Sequence, residues 1–111
     1  MLTSFKPRKR VYVAAPFTGD EIANTNFAID KAEELVDLGF APVVPHLSIH
    51  WSIRHRHSYK WWLQLTCDWM LGCEMVLRTG GPSPGADLEV QLAEQMGIPV
   101  YYDTGELQEI E

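Results

Sequence analysis

Short, fully apolar runs alternate along this chain with longer stretches of helical periodicity. Val11-Tyr12-Val13-Ala14-Ala15 is β-branched and continuously apolar, the pattern of a parallel strand buried on both faces. Residues 24–38 place Ala28, Ala32, Leu35 and Val36 on one stripe, which predicts a helix that Gly39 closes. Ala41-Pro42-Val43-Val44 reads as a second strand, with Pro42 suited to its start or to a sheet edge. Residues 59–72 are helical but apolar on nearly every side, with Trp61, Trp62, Leu63, Leu65, Trp69, Met70 and Leu71. Residues 74–77 form a third strand and residues 99–101 a fourth, joined by a helix over 84–96 that Gly97 ends. On that helix Leu88, Leu92 and Met96 are expected to face the core.

The order β-α-β-α-β-α-β with short links predicts a three-layer α/β domain of the Rossmann or flavodoxin-like kind. Its four-stranded parallel sheet is expected in the order 2-1-3-4. The 111 residues suffice for one such domain, preceded by a loose leader over 1–9 and followed by an acidic tail over 102–111, where residues 104–111 are expected to form a short helix. Ligands of doubly wound sheets bind beyond the carboxyl ends of the strands, where the order reverses. Pro16-Phe17-Thr18-Gly19 and the stretch from Arg78 to Gly85 both belong at that crevice.

The second of these loops carries the most chemistry. Ser83 is placed to cap the helix and Pro84 occupies its first position, so the amides of Gly85 and Ala86 face any anion set there. Glu89 follows Gly85 by four residues and shares its face, and its carboxylate leans back over a position without a Cβ. Residues 45–58 break the regular pattern as a longer loop holding all four histidines, with Pro45 weighing against a helix. His46 and His50 have the i, i+4 spacing of zinc ligands, but no carboxylate or thiolate partner is evident, so no metal site is expected. A lid is the expectation, its His side chains and Trp51 meeting a planar ligand or a partner chain.

Charge and composition narrow the partners. A net charge of -6 disfavours nucleic acid, and the cluster Lys6, Arg8, Lys9 and Arg10 reads as a solvated approach to the first strand. No apolar run approaches a membrane span and no signal-peptide core is seen, which predicts a cytoplasmic protein with no membrane contact. Cys67 and Cys73 are then expected as reduced thiols, facing different ways on a helix. The unbroken apolar surface of residues 59–72 predicts a homodimer or a dimer of dimers.

Four ordered blocks carry a family likeness: Tyr12-Val13-Ala14-Ala15-Pro16-Phe17, Asn26 heading a helix, Pro42-Val43-Val44-Pro45-His46, and Ser83-x-Gly85-Ala86-x-x-Glu89. Together they resemble the nucleoside 2-deoxyribosyltransferase superfamily, above all its short bacterial and phage branch, over residues 11–101. The resemblance implies a nucleoside or nucleoside 5′-monophosphate substrate, no cofactor, and cleavage or exchange of the N-glycosidic bond. It implies that Glu89 is the nucleophile, that Tyr12 orients it, and that Ser83 meets a 5′-phosphate. Oxocarbenium character at C1′ suits a carboxylate that can stabilise or trap it. Two positions depart from the pattern. The aspartate that assists the leaving base belongs near Thr66, and the available acid is Asp68; the end of strand three carries Arg78, suited to phosphate, instead of an acid. A nucleotide-binding module without turnover is therefore the alternative. A phospho-acceptor receiver domain is set aside, because Pro16 and Phe17 stand where its acidic cluster would be.

Overall fold

The computed structural model describes residues 6–108. The start of the expected leader and the last three residues of the acidic tail lie outside them. The elements run β1 (Arg10–Ala14), α1 (Glu21–Asp37), β2 (Ala41–Val43), one turn of 3-10 helix (Pro45–Ser48), α2 (Ile49–Arg54), α3 (Tyr59–Met70), β3 (Met75–Arg78), α4 (Pro84–Gln95), β4 (Val100–Tyr101) and α5 (Thr104–Gln108). The sheet is parallel throughout, in the order β2-β1-β3-β4, as the alternation of elements predicts. β1 is central, pairing Tyr12 with Val43 on one side and with Val76 on the other.

The pleat divides the core in two. Val11 and Val13 of β1, with Met75 and Leu77 of β3, face a layer that includes Ala28 and Leu35 of α1 and Leu107 of α5. Tyr12, Ala14 and Val76 face the opposite layer, where α3 contributes Met70 and α4 contributes Ala86 and Ala93. Tyr12 is completely buried although it carries a hydroxyl, so that hydroxyl needs a partner within the fold. At the amino ends of the strands Arg10 meets Glu74 in an exposed ion pair, far from the crevice.

Four expectations are corrected. The first helix starts at Glu21, because Asp20 caps it by accepting from the Ala23 amide, and Asn26 is an exposed residue of its second turn. Residues 45–54 are helical: Pro45 sits in the first turn, where no amide donor is needed. Trp51 turns away from the crevice and packs edge-on against Trp61 and Trp62, with ring centroids 5.9 and 5.6 Å away, which anchors α2 on α3. On α4 the buried face is Ala86, Val90 and Ala93, while Leu88 and Leu92 are half-buried and Met96 is exposed. Small residues let this helix lie close on the sheet, which leaves the leucines on its flank.

Candidate functional site

Beyond the carboxyl ends of β1 and β3 lies a cavity of about 600 Å³. Two loops and two helix faces build it. The loop after β1 contributes Pro16, Phe17 and Thr18; Gly19 lies outside, exposed. This loop is clamped from three directions. The buried His46 ring places Nε2 3.1 Å from the Ala15 carbonyl and 3.0 Å from that of Pro16, so Nε2 carries the proton and donates. The Asn24 side chain donates to the Phe17 carbonyl at 3.0 Å and to that of Thr18 at 3.2 Å. Gly80 closes the third side with φ of +87°, and a Cβ there would lie 2.7 Å from Pro16 Cδ. The loop's shape is thus fixed before any ligand arrives.

α4 supplies the chemistry. Ser83 caps it, its hydroxyl oxygen accepting from the Ala86 amide at 3.1 Å. That amide is therefore taken, contrary to the expectation that it faces an anion; the Ser83 hydroxyl proton stays free to donate. Gly85 and Glu89 both line the cavity, on one helix face as their spacing requires. The Tyr12 hydroxyl donates to Glu89 Oε2. Burial pushes the Glu89 carboxyl up to about 7, opposed by the Tyr12 hydrogen bond and by the positive charge of Arg78. Burial, together with the Glu89 charge, pushes the Tyr12 phenol well above its usual range, so it remains the donor of the pair. A carboxylate with these properties, buried at the floor of a crevice and held by one phenol, is a functional-site signature.

α3 forms the opposite wall. Tyr59, Trp62, Leu63 and Thr66 face the cavity at spacings of three, four and seven, a regular helical stripe. That spacing was legible in the sequence, but the abundance of apolar residues around it hid the lining face. Thr66 stands where an aspartate is expected by resemblance, and Asp68 does not line the cavity: it is exposed and accepts from Gln64 at 3.3 Å. Arg78 also lies outside the lining, spending its guanidinium on Asp87 at 3.1 Å and on the carbonyls of Thr79 and Gly81. It staples the loop before α4 rather than presenting a free fork to a phosphate. From the 45–58 segment Ser48 and Ser52 reach the cavity, as do His46 and His57, while His50 and His55 do not. Glu21, in the first turn of α1, completes the mouth.

Among the described residues no group of three or more His, Cys, Asp or Glu is arranged to hold a metal ion. Burial pushes the Cys67 thiol up, so it offers no thiolate beside Glu89. Nor is any described helix long and apolar enough to cross a membrane.

Residues 9–103 match a protein family described as a domain of unknown function, DUF7768. The chain belongs to the DUF7768 family. No curated protein matches this sequence. The matched span of this DUF7768 chain takes in every strand and the whole cavity lining.

Proposed function

We propose that this DUF7768 protein cleaves or exchanges the N-glycosidic bond of a nucleoside or nucleoside 5′-monophosphate, with Glu89 as nucleophile. The reading brings the likeness to the nucleoside 2-deoxyribosyltransferase superfamily together with the cavity. Its carrying observation is the Glu89 carboxylate, largely shielded from solvent and joined to the hydroxyl of Tyr12 in the central strand. In the deprotonated state its free oxygen attacks C1′ while Tyr12 holds the other, and a glycosyl ester forms as the base departs. Phe17, Trp62 and Leu63 offer an apolar wall to a planar base. The Ser83 hydroxyl at the α4 start suits a 5′-phosphate.

One observation favours a second reading, a nucleotide-binding module without turnover. Glu89 and Glu21 are the only carboxylates of the described residues that line the cavity, and Asp68 is turned out to solvent. The two readings separate on base release. Wild type and Glu89→Gln are each incubated with a panel of nucleosides and nucleoside monophosphates, and free base is measured beside ligand affinity. The enzyme reading expects release by wild type, a fall of orders of magnitude in the variant, and largely retained binding. Equal release by both removes Glu89 as nucleophile; binding with no release by either favours the module.

A further inference from the structure

Breaking an N-glycosidic bond leaves its electron pair on the base, and the base departs readily as a neutral molecule when one of its nitrogen or oxygen atoms gains a proton. Resting on the Glu89 reading above, the missing piece is the donor. The Tyr12 proton is committed to Glu89, and the His46 Nε2 proton to two backbone carbonyls. Burial lowers the His46 pKa, so that ring has no second proton to give. Tyr59 Oη lies 3.7 Å from where a Gly85 Cβ would stand, which puts it beside Ser83 at the α4 start, the end suited to phosphate. Glu21 is a solvent-exposed carboxylate in the first turn of α1, an acceptor of hydrogen bonds.

His57 remains, and its setting is specific. It sits on the connection between α2 and α3, an exposed residue of the cavity lining to which Glu89 also belongs. Its ring stacks flat on Trp61, with centroids 3.6 Å apart and planes 9° from parallel. It also meets Trp62 edge-on at 6.2 Å, and Trp62 lines the cavity. Among the described residues neither His57 ring nitrogen is hydrogen-bonded, so the ring is oriented by stacking while its N–H edge stays available. Imidazole is the side chain that both gives and takes a proton near neutrality.

We propose that His57 is the general acid and base of this site, serving the departing base in place of a carboxylic acid. In the first step a Glu89 oxygen bonds to C1′ and the C1′–N bond breaks. The pair moves to the base, which takes a proton from the His57 imidazolium. In the second step water attacks C1′, its proton passes to the now neutral His57, and the ester to Glu89 breaks. The net reaction consumes one water and releases free base and sugar, with both side chains restored.

The test compares leaving groups. His57 is exposed, so His57→Ala is expected to fold as wild type does. One substrate is a nucleoside monophosphate; the other is the same sugar phosphate carrying 4-nitrophenolate at C1′, which departs without a proton. Both are read in the first turnover, for wild type, His57→Ala and Glu89→Gln. The proposal expects His57→Ala to slow base release on the order of 100-fold or more while nitrophenolate release stays close to wild type. Glu89→Gln should slow both. Equal losses on the two substrates in His57→Ala, or no loss on either, overturn the role of His57 while leaving Glu89 intact. Release of neither product by wild type overturns the glycosidase reading and the His57 role with it.

Discussion

At the scale of single residues, the pair Tyr12 and Glu89 makes stability depend on pH. Glu89 has an ordinary value of 4.5 and stands at about 7 in the fold, with burial as the main cause. An acid whose native pKa lies above its unfolded value holds its proton more tightly in the native state. Its contribution to stability is therefore complete below about pH 4.5 and is lost as pH rises through about 7. The effect is on the order of 3 kcal/mol, since the rise from 4.5 to about 7 is worth roughly 1.4 kcal/mol per pKa unit. Glu89→Gln keeps the shape and can still accept from Tyr12, but it carries no charge to bury. The variant should melt at or above the wild-type temperature at pH 8, with the difference shrinking towards pH 5. Parallel melting curves across that range would show that Glu89 ionisation is not coupled to folding. On the proposed reading the attack on C1′ needs the free carboxylate, so release of 4-nitrophenolate, which takes no proton, should rise with pH through about 7.

At the scale of elements, two loops and a helix start decide whether the cavity keeps its shape. Gly80 has a φ that a β-carbon resists, and that carbon would press on Pro16 and Phe27. Gly80→Ala should lower stability by roughly 1–3 kcal/mol, read by denaturant unfolding. The neighbouring Gly81→Ala, with nothing within 4 Å of its added carbon, should be nearly neutral. Similar losses in the two would mean that the contact with Pro16 does not hold the loop. Ser83→Ala removes a cap, with an expected loss of about 1 kcal/mol in stability. It also removes the hydroxyl offered to phosphate, so affinity for a nucleoside monophosphate should fall by roughly 1–3 kcal/mol while the nucleoside is little affected. Equal losses for both ligands, measured by calorimetry, would dismiss the phosphate assignment. These elements differ in how far the sequence disclosed them. The strands were legible because both faces of a parallel sheet are buried, which leaves unbroken apolar runs such as Val11 to Ala15. The α4 start was legible from Ser83 and Pro84, whose cap chemistry is local. The buried face of α4 was not, since Leu88 and Leu92 signal burial more strongly than Ala86 and Ala93, and only the closeness of the sheet selects the alanines. Gly80 and His46 lock one loop through contacts far apart in sequence, and no local pattern encodes those. Arg78 has a cation's chemistry but is consumed by Asp87 nine residues on, a pairing set by the turn between them.

At the scale of the whole molecule, α2 and α3 expose several large apolar side chains, as α1 also does with Ile22, Phe27, Ile29 and Val36. Ile53 is 63% exposed, Tyr59 64% and Leu71 59%, and Trp51 and Trp61 also reach the surface. Along α3, Met70 alone is fully buried, although Trp, Leu and Cys fill much of the helix. Apolar surface gathered on one face of a domain marks an interaction site more often than scattered exposure does. A second copy of the chain is the expected occupant, because a two-fold arrangement pairs one apolar face with itself and closes without leaving an edge. The placement matters for the site, since His57 and Tyr59 stand where this face meets the mouth of the cavity. Covering the face would narrow that mouth, exclude water and strengthen the electrostatics around Glu89. Light scattering at micromolar concentration should therefore give twice the 12.6 kDa of one chain, or a multiple of it. Dilution should reduce base release per chain in step with dissociation, because an assembly held by mass action loses its closed site as it comes apart. A 12.6 kDa species at every concentration would leave the apolar face without a second copy. A dimer whose turnover per chain is indifferent to dilution through its dissociation range would detach assembly from catalysis, and would place the closure of the cavity within a single chain.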